Sequence, residues 1–170
     1  GVGLSLALFL WRSSRPHAAI VGRVPETEHF RNVDRHKVFT DPRLLTIRID
    51  ESLTYLNARW LEEFILEQVA EQKSVRHVIL MCSAVNAIDA SALESIEAIN
   101  HRLEDSGISL HLSEVKGPVM DRLEQSHFLE QLSGHVYLSQ NEAYSALIAI
   151  ADSEDKADTD IDIWSARGLI

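Results

Sequence analysis

Two hydrophobic patterns follow one another between residues 75 and 103, and they predict a buried strand and then a helix. Residues 75–82 are mostly apolar without alternating with polar positions, which is typical of a strand covered on both faces. Beyond a polar loop, apolar residues recur at the spacing of one helix face, at Leu93, Ile96, Ile99 and Leu103. An acidic and a hydroxyl side chain, Asp89 and Ser91, therefore stand where a strand leads into a helix.

Strands and helices are predicted to alternate on both sides of this unit. Further strands are predicted at 36–39, 44–49, 108–112 and 135–138, and further helices after Asn57, after Gly117 and at 141–151. Asn57 is expected to cap its helix, and Gly107 to end the helix that starts near Asp89. This alternation predicts an α/β fold in which a mostly parallel central sheet of four to five strands packs against four to five helices.

The N-terminal segment has a third pattern, a continuous apolar run. Its first eleven residues carry no charge and end at Trp11, after which Arg12, Arg15 and Arg23 follow. An aromatic residue followed by basic residues is typical of a helix that leaves a membrane on the cytoplasmic side. Because a full span needs about 20 residues, residues 1–15 are predicted to be the end of a transmembrane helix. The alternative is a core helix of a soluble domain.

The rest of the chain divides by composition. Residues 16–35 are rich in Arg, Pro, Gly, Glu and His and have no periodicity, so they are predicted to be a linker along the domain. Residues 36–151 hold the predicted α/β domain. Residues 152–170 begin with an acidic run, which predicts a disordered C-terminal tail.

The net charge of −10 is unevenly distributed, and this limits the classes of partner. Residues 1–48 carry eight Lys or Arg and four Asp or Glu, so the remainder is strongly acidic. An acidic body argues against a nucleic-acid partner, and the basic leader favours a membrane surface. The single cysteine, Cys82, excludes an internal disulfide and is expected to be a small buried hydrophobe in a reducing compartment.

No pattern of catalytic residues emerges from the sequence. The chain has no glycine-rich phosphate loop, no Gly-x-Ser-x-Gly, no His-x-x-x-His and no Cys-x-x-Cys. Five histidines fall one to an element and are expected to be scattered surface or edge residues rather than metal ligands: His77, His101, His111, His127 and His135. The sequence therefore predicts a protein that is not an enzyme and that uses no metal and no cofactor.

The junction at Asp89 and Ser91 has two explanations. Ser91 and Glu94 match a capping box, in which the two side chains satisfy free N–H groups at the start of a helix. Alternatively, Asn86, Asp89 and Ser91 form an exposed, rigid corner that contacts a protein partner or a small anion. The sequence pattern is compatible with both.

With these elements in place, residues 44–151 resemble a STAS domain. This fold is shared by bacterial anti-sigma factor antagonists and by the cytosolic C-terminal domains of SulP anion transporters. The resemblance lies in the strand at 75–80, the segment 89–93, the segment 107–110 and the helix after Gly117-Pro118. The SulP branch is favoured by residues 50–58 and by the lead-in, an apolar helix followed by Arg15-Pro16 and the segment 21–27.

One position departs from the antagonist pattern. In the antagonists, the residue directly after the loop aspartate is the phosphorylated serine or threonine. That position is Ala90 in this chain, which has no hydroxyl group, and Ser91 matches only the following position. The kinase switch of the antagonists is therefore not expected to operate here.

The resemblance implies the cytosolic STAS domain of a SulP-type secondary anion transporter for sulfate, bicarbonate or a carboxylate, with a regulatory or assembly role. It implies attachment to the last membrane helix, a place on the cytoplasmic side of the inner (plasma) membrane, and no nucleic-acid partner. The implied partners are the membrane domain of the same transporter, a cytosolic protein, the membrane itself through the N-terminal segment, and a second copy in a homodimer of the full transporter. The alternative is a soluble signalling module like the anti-sigma factor antagonists, which requires residues 1–15 to be a core helix.

Overall fold

The computed structural model of the chain describes residues 1–13, 18–34 and 38–166. These residues form six strands and six helices: α1 Val2–Ser13, β1 Ala18–Arg23, β2 Phe30–Asn32, β3 Leu44–Ile49, α2 Ala58–Glu71, β4 His77–Met81, α3 Ala90–Asp105, β5 Ser109–Ser113, α4 Gly117–Gln125, α5 Phe128–Gln131, β6 Val136–Tyr137 and α6 Gln140–Ala166. The strands make one sheet in the order β2-β1-β3-β4-β5-β6. Neighbours from β3 to β6 are parallel, whereas β1 is antiparallel to both β2 and β3.

The sheet is covered by different helices on its two faces. Because successive side chains of a strand point to opposite faces, Val78 and Leu80 of β4 face one layer and Ile79 faces the other. The first layer contains α2 to α5 and holds most of the apolar core, with Leu61, Ile65, Ile99, Leu103, Leu123 and Phe128 among its buried side chains. The second layer is α6, whose Tyr144, Leu147 and Ala151 pack with Ile79. The predicted α/β class with a mostly parallel sheet is thus confirmed.

The sheet has six strands instead of the predicted four to five, because residues 16–35 are not simply a linker. β1 and β2 lie within that segment and extend the sheet beyond β3. Their sequences show no alternation of apolar and polar residues. Gly22 interrupts β1 where the segment around Phe39 packs directly against the strand. A Cβ at Gly22 would lie 2.7 Å from the carbonyl oxygen of Phe39.

The strand predicted at 36–39 lies partly outside the described residues, and its described part forms only a bridge. Residues 35–37 lie outside the described part of the chain, and Phe39 makes an isolated antiparallel bridge with Arg23. The end of α3, by contrast, is as predicted, because Gly107 follows the helix with a φ of 74°, a conformation that favours glycine.

The last helix is longer than predicted. α6 continues from Gln140 through Ala166, so the expected disordered tail is wrong up to that residue, and residues 167–170 lie outside the described part. The reason is electrostatic. Carboxylates spaced three residues apart share one side of the helix. There Asp152, Asp155 and Asp158 meet Arg43 and Arg76, which directly precede β3 and β4.

The N-terminal helix α1 is separate from both layers. Its apolar side chains are exposed, with Val2 at 86%, Leu6 at 57% and Phe9 at 63% of their full accessible surface. α1 is therefore not the core helix that the alternative explanation required. Among the described residues, no helix is both long enough and apolar enough to span a membrane.

Candidate functional site

Loops after three parallel strands meet at one edge of the sheet. The loops after β3 and β4 are joined by backbone hydrogen bonds, in which Leu53 N–H donates to Ala87 O (3.1 Å) and Asp89 N–H donates to Leu53 O (3.1 Å). The hydroxyl of Ser52 accepts a further bond from Ala87 N–H at 3.2 Å. Since parallel strands direct their carboxyl ends to the same edge, this edge is where a ligand or partner of an open α/β sheet is expected.

Asp89 links the two loops through both carboxylate oxygens. Its Oδ1 accepts a hydrogen bond from Ala92 N–H (2.8 Å), and its Oδ2 accepts one from Tyr55 N–H (2.9 Å). Asp89 is the N-cap of α3, with an extended backbone at φ −87° and ψ 170°. A single side chain therefore accepts a hydrogen bond from a free N–H group at the start of α3 and also positions the loop that follows β3.

The predicted capping box does not form. Ser91 lies in the first turn of α3 and not at its N-cap, and its exposed hydroxyl makes no hydrogen bond to any described residue. The cap is Asp89, two residues earlier, because the backbone path places Asp89 and not Ser91 at the start of the helix. Asn57 shows a similar shift of role. It occupies the N-cap of α2, but its side chain bonds Thr54 N–H (3.0 Å) and Ser52 O (2.9 Å).

The exposed part of this edge comprises Tyr55, Asn86, Ala90 and Ser91, and is called the corner below. Tyr55 is 68% exposed. Asn86 accepts a 2.6 Å hydrogen bond from Lys116 Nζ, which connects the corner to the loop after β5. The structure thus brings the three predicted contact residues together, with Asn86 and Ser91 at the surface and Asp89 as their support.

A groove of about 370 Å³ continues from the corner between α3 and α4. Its lining residues are Ala90, Leu93, Glu94, Glu97, Arg122, Gln125 and Ser126. Glu94, Glu97 and Arg122 form no ion pair with any other residue that the structure describes. The groove therefore offers charges of both signs beside the corner.

Three histidines are not scattered as predicted. His77 and His111 are buried neighbours on β4 and β5, with 3.1 Å between His77 Nδ1 and His111 Nε2. His111 Nδ1 accepts from the backbone N–H of His135 at 3.0 Å, and His77 Nε2 lies 3.3 Å from Glu154 Oε2 of α6. When both rings are neutral, one proton order satisfies all three contacts: His111 donates to His77, and His77 donates to Glu154.

Burial keeps the ring of His111 neutral. Burial, together with the neighbouring His77 and His135, lowers the pKa of His111 to about 3. Gly134 packs directly against His111, because a Cβ at that position would collide with the His111 ring and with Leu110 O. Successive side chains of a strand point to opposite faces, and this places both histidines on the face that α6 covers. The pair could have been recognised from the sequence in this way.

No metal or thiol chemistry is evident at these positions. Within the described residues, no group of three or more His, Cys, Asp or Glu side chains is arranged to hold a metal ion. Cys82 is buried as predicted, and burial raises the pKa of its thiol to about 12, so the reactive thiolate does not form at neutral pH.

Comparison with known proteins identifies the family. A family model described as STAS domain matches residues 36–143. Sulfate transporter 1.3 of Arabidopsis thaliana is 32% identical over 154 residues, which is 84% of this chain and 23% of the relative. The chain spans about a quarter of the length of the curated relatives it matches.

Solved structures show the same fold at low sequence identity. The murine Solute Carrier 26 family member A9 anion transporter, in its inward-facing state, matches with a TM-score of 0.71 and 16% identity, over 88% of this chain and 25% of that one. The STAS domain of a SulP transporter from Vibrio cholerae matches with a TM-score of 0.57 and 16% identity, over 71% of this chain and 92% of that one. The predicted STAS-type fold is confirmed, with six strands instead of four to five.

The two candidate caps can be separated by their effect on stability. We expect Asp89→Ala to lower the free energy of unfolding by about 1–2 kcal/mol, because both the cap of α3 and the bond to Tyr55 N–H are lost. Ser91→Ala should change it by less than about 0.5 kcal/mol, since the Ser91 hydroxyl is exposed and unbonded. Chemical denaturation of both variants measures the difference, and equal losses would contradict the assignment of Asp89 as the cap.

The neutral His111 ring predicts a pH-dependent stability. The unfolded chain binds a proton at this ring as the pH falls through about 6.5, whereas the folded chain does not bind one until about 3. The free energy of unfolding should therefore fall from pH 7 to pH 5, with a slope of up to about 1.4 kcal/mol per unit. His111→Gln should flatten this slope and the exposed control His101→Gln should not. Equal slopes in all three proteins would refute the claim.

Proposed function

The chain belongs to the STAS domain family, and on that premise we propose that it is the cytosolic domain of a SulP-type secondary anion transporter. The observation that carries this proposal is the pairing of a STAS domain with α1, whose uncharged apolar side chains are exposed. An apolar helix outside the core of its own domain is best accommodated by lipid. The curated relatives named sulfate transporters carry a matching segment as about a quarter of their length.

The basic residues that follow the apolar run of α1 support a cytoplasmic orientation. Trp11 ends the apolar run, and Arg12 and Arg15 come next. Positive charge close to the end of a membrane helix favours the cytoplasmic side. We therefore assign α1 to the end of the last membrane helix, and the domain to the cytoplasmic side of the inner (plasma) membrane. The transported anion is of the sulfate, bicarbonate or carboxylate class, and sulfate is the first choice because the matching relatives bear that name.

The soluble antagonist alternative is disfavoured by two features. It required the N-terminal run to be a core helix, and the side chains of α1 are exposed instead. It also requires a phosphorylatable residue directly after the loop aspartate, and the exposed residue there is Ala90. The domain therefore serves a regulatory or assembly role without catalysis.

The corner is the proposed contact surface for that role. Tyr55, Asn86 and Ser91 are exposed, and their loops are held rigidly by Asp89 and by Leu53. Asp89 places a carboxylate at the positive end of α3, which disfavours a bound anion and favours a protein partner. The partner is the membrane domain of the same transporter or a cytosolic protein, and a homodimer of the full transporter would place two such surfaces in one assembly.

Transport by the full-length protein tests this proposal. Uptake of labelled sulfate should be measurable in the unmodified protein. Ser91→Lys should lower it at least about fivefold at equal surface abundance, because a long charged side chain at a contact costs roughly 1 kcal/mol or more. The matched control is Ser106→Lys at the other end of α3, which should transport normally.

Two results would count against the proposal in different ways. Absence of transport for all tested anions in a well-expressed, unmodified protein would remove the transporter assignment. Normal transport by Ser91→Lys would leave that assignment intact and show that the corner makes no contact essential for transport.

A further inference from the structure

The C-terminal half of α6 contacts the sheet through ion pairs. Among the side chains of α6 that the structure describes, which end at residue 163, Ala151 is the last buried one, and every one beyond it is exposed or half-buried. Apolar packing therefore attaches the first half of α6 only. Ion pairs at the surface are individually weak, so this second half can detach without disturbing the core.

The attachment point is a pair of arginines at the amino ends of two neighbouring strands. Arg43 directly precedes β3 and Arg76 directly precedes β4. The carbonyl oxygen of Arg43 accepts hydrogen bonds from the backbone N–H groups of Arg76 (2.8 Å) and His77 (3.0 Å). These backbone bonds fix the spacing between the two side chains independently of α6.

Both arginines converge on one carboxylate. Arg43 Nη1 lies 2.7 Å from Asp155 Oδ2, and Arg76 Nη2 lies 2.7 Å from Asp155 Oδ1. Two guanidinium groups on the two oxygens of one anion make the arrangement by which proteins recognise phosphate and sulfate groups. Asp155 thus occupies a site built for an oxyanion.

The remaining charges around this site divide into fixed and movable groups. Asp41 is fixed, because it binds Arg43 through two parallel hydrogen bonds of 2.9 and 2.7 Å and orients the guanidinium. The other carboxylates belong to α6: Asp152 lies 2.9 Å from Arg43, while Glu154 and Asp158 each lie 3.6 Å from Arg76. Because all of them belong to α6, a detachment of its C-terminal half would remove them together with Asp155. Arg43 paired with Asp41, Arg76 and His77 Nε2 would then remain.

We propose that Arg43 and Arg76 form an oxyanion site whose resident ligand is Asp155, and that a free tetrahedral dianion displaces Asp155 and releases residues 152–166 from the sheet. A dianion such as sulfate or phosphate offers more charge and more acceptor oxygens than one carboxylate. The site lies at the amino edge of the sheet, opposite the corner, and its operation does not depend on the transporter assignment.

Hydrogen exchange of the full chain tests the displacement. At pH 7 and constant ionic strength, replacing chloride with sulfate should speed amide exchange in residues 152–163 at least about threefold, the scale of one lost surface ion pair. Exchange in residues 140–151 should not change. Parallel arms with inorganic phosphate and with phenyl phosphate show whether free dianions or phosphate esters are the better ligands. Equal exchange in chloride and sulfate would overturn the proposal, because the identity of the anion would then have no effect on the attachment of this segment.

Two variants separate an anion site from a merely structural contact. Asp155→Asn weakens the resident ligand, so calorimetric titration should show sulfate binding at least about threefold tighter than in the unmodified chain. Arg76→Gln weakens the same helix contact but should abolish the sulfate response. The matched control is Asp162→Asn, on the same helix beyond these ion pairs, which should behave like the unmodified chain. If Asp155→Asn and Arg76→Gln respond identically to sulfate, the arginines are only a structural contact and the proposal fails.

Discussion

Burial of β4 on both faces is the constraint on which the rest of this structure depends. Val78, Ile79 and Leu80 have no exposed surface, and their side chains alternate between the two faces of the sheet. Each face must therefore carry its own helical layer. The parallel neighbours β3 and β5 then direct three loops to one edge and the residues that precede the strands to the other. The corner and the arginine pair both result from this arrangement.

The two helical layers differ in chemistry. The interface of the sheet with α2 and α3 is almost entirely apolar, whereas its interface with α6 contains buried polar side chains: Thr46, His77, His111, Ser113 and Gln140. These are satisfied in pairs, as when Gln140 Nε2 donates to Thr46 Oγ1 at 3.1 Å. Polar pairs of this kind specify one position for α6 while contributing less stability than apolar packing. We therefore expect the C-terminal half of α6 to move more readily than the helices on the other face of the sheet.

Sequence reasoning was most successful where local pattern and tertiary environment agree. The mostly apolar run of β4 predicted a strand, because a strand buried on both faces needs apolar residues at successive positions. The helical spacing of α3 predicted a helix, because a helix buried on one face repeats its apolar residues every three to four positions. The pattern also predicted the α/β class and the turn at Gly107 that ends α3. Asn86, Asp89 and Ser91 were predicted to share one corner, and the loops do bring them together.

The failures have a common physical cause, namely contacts between residues far apart in sequence. β1 and β2 are short and irregular, and they are stabilised by pairing, β1 with β3 and β2 with β1, rather than by their own pattern. The acidic run after Ala151 is helical because Arg43 and Arg76, about 80 to 110 residues earlier, lie beneath it. His77 and His111 form a pair only because β4 and β5 are neighbours. Ser91 was expected to cap α3, and the bond from Tyr55 N–H that helps to place Asp89 there was not visible in the local sequence.

The central claim is that α1 belongs to a membrane and the domain to the aqueous phase, and vesicle flotation tests it most directly. The full chain should float with anionic phospholipid vesicles, and a chain lacking residues 1–13 should remain in solution. Both should unfold cooperatively with midpoints within about 2 °C of each other, because no described side chain of α1 is buried in the core. A shortened chain that still floats, or one whose midpoint falls by about 5 °C or more, would contradict the account.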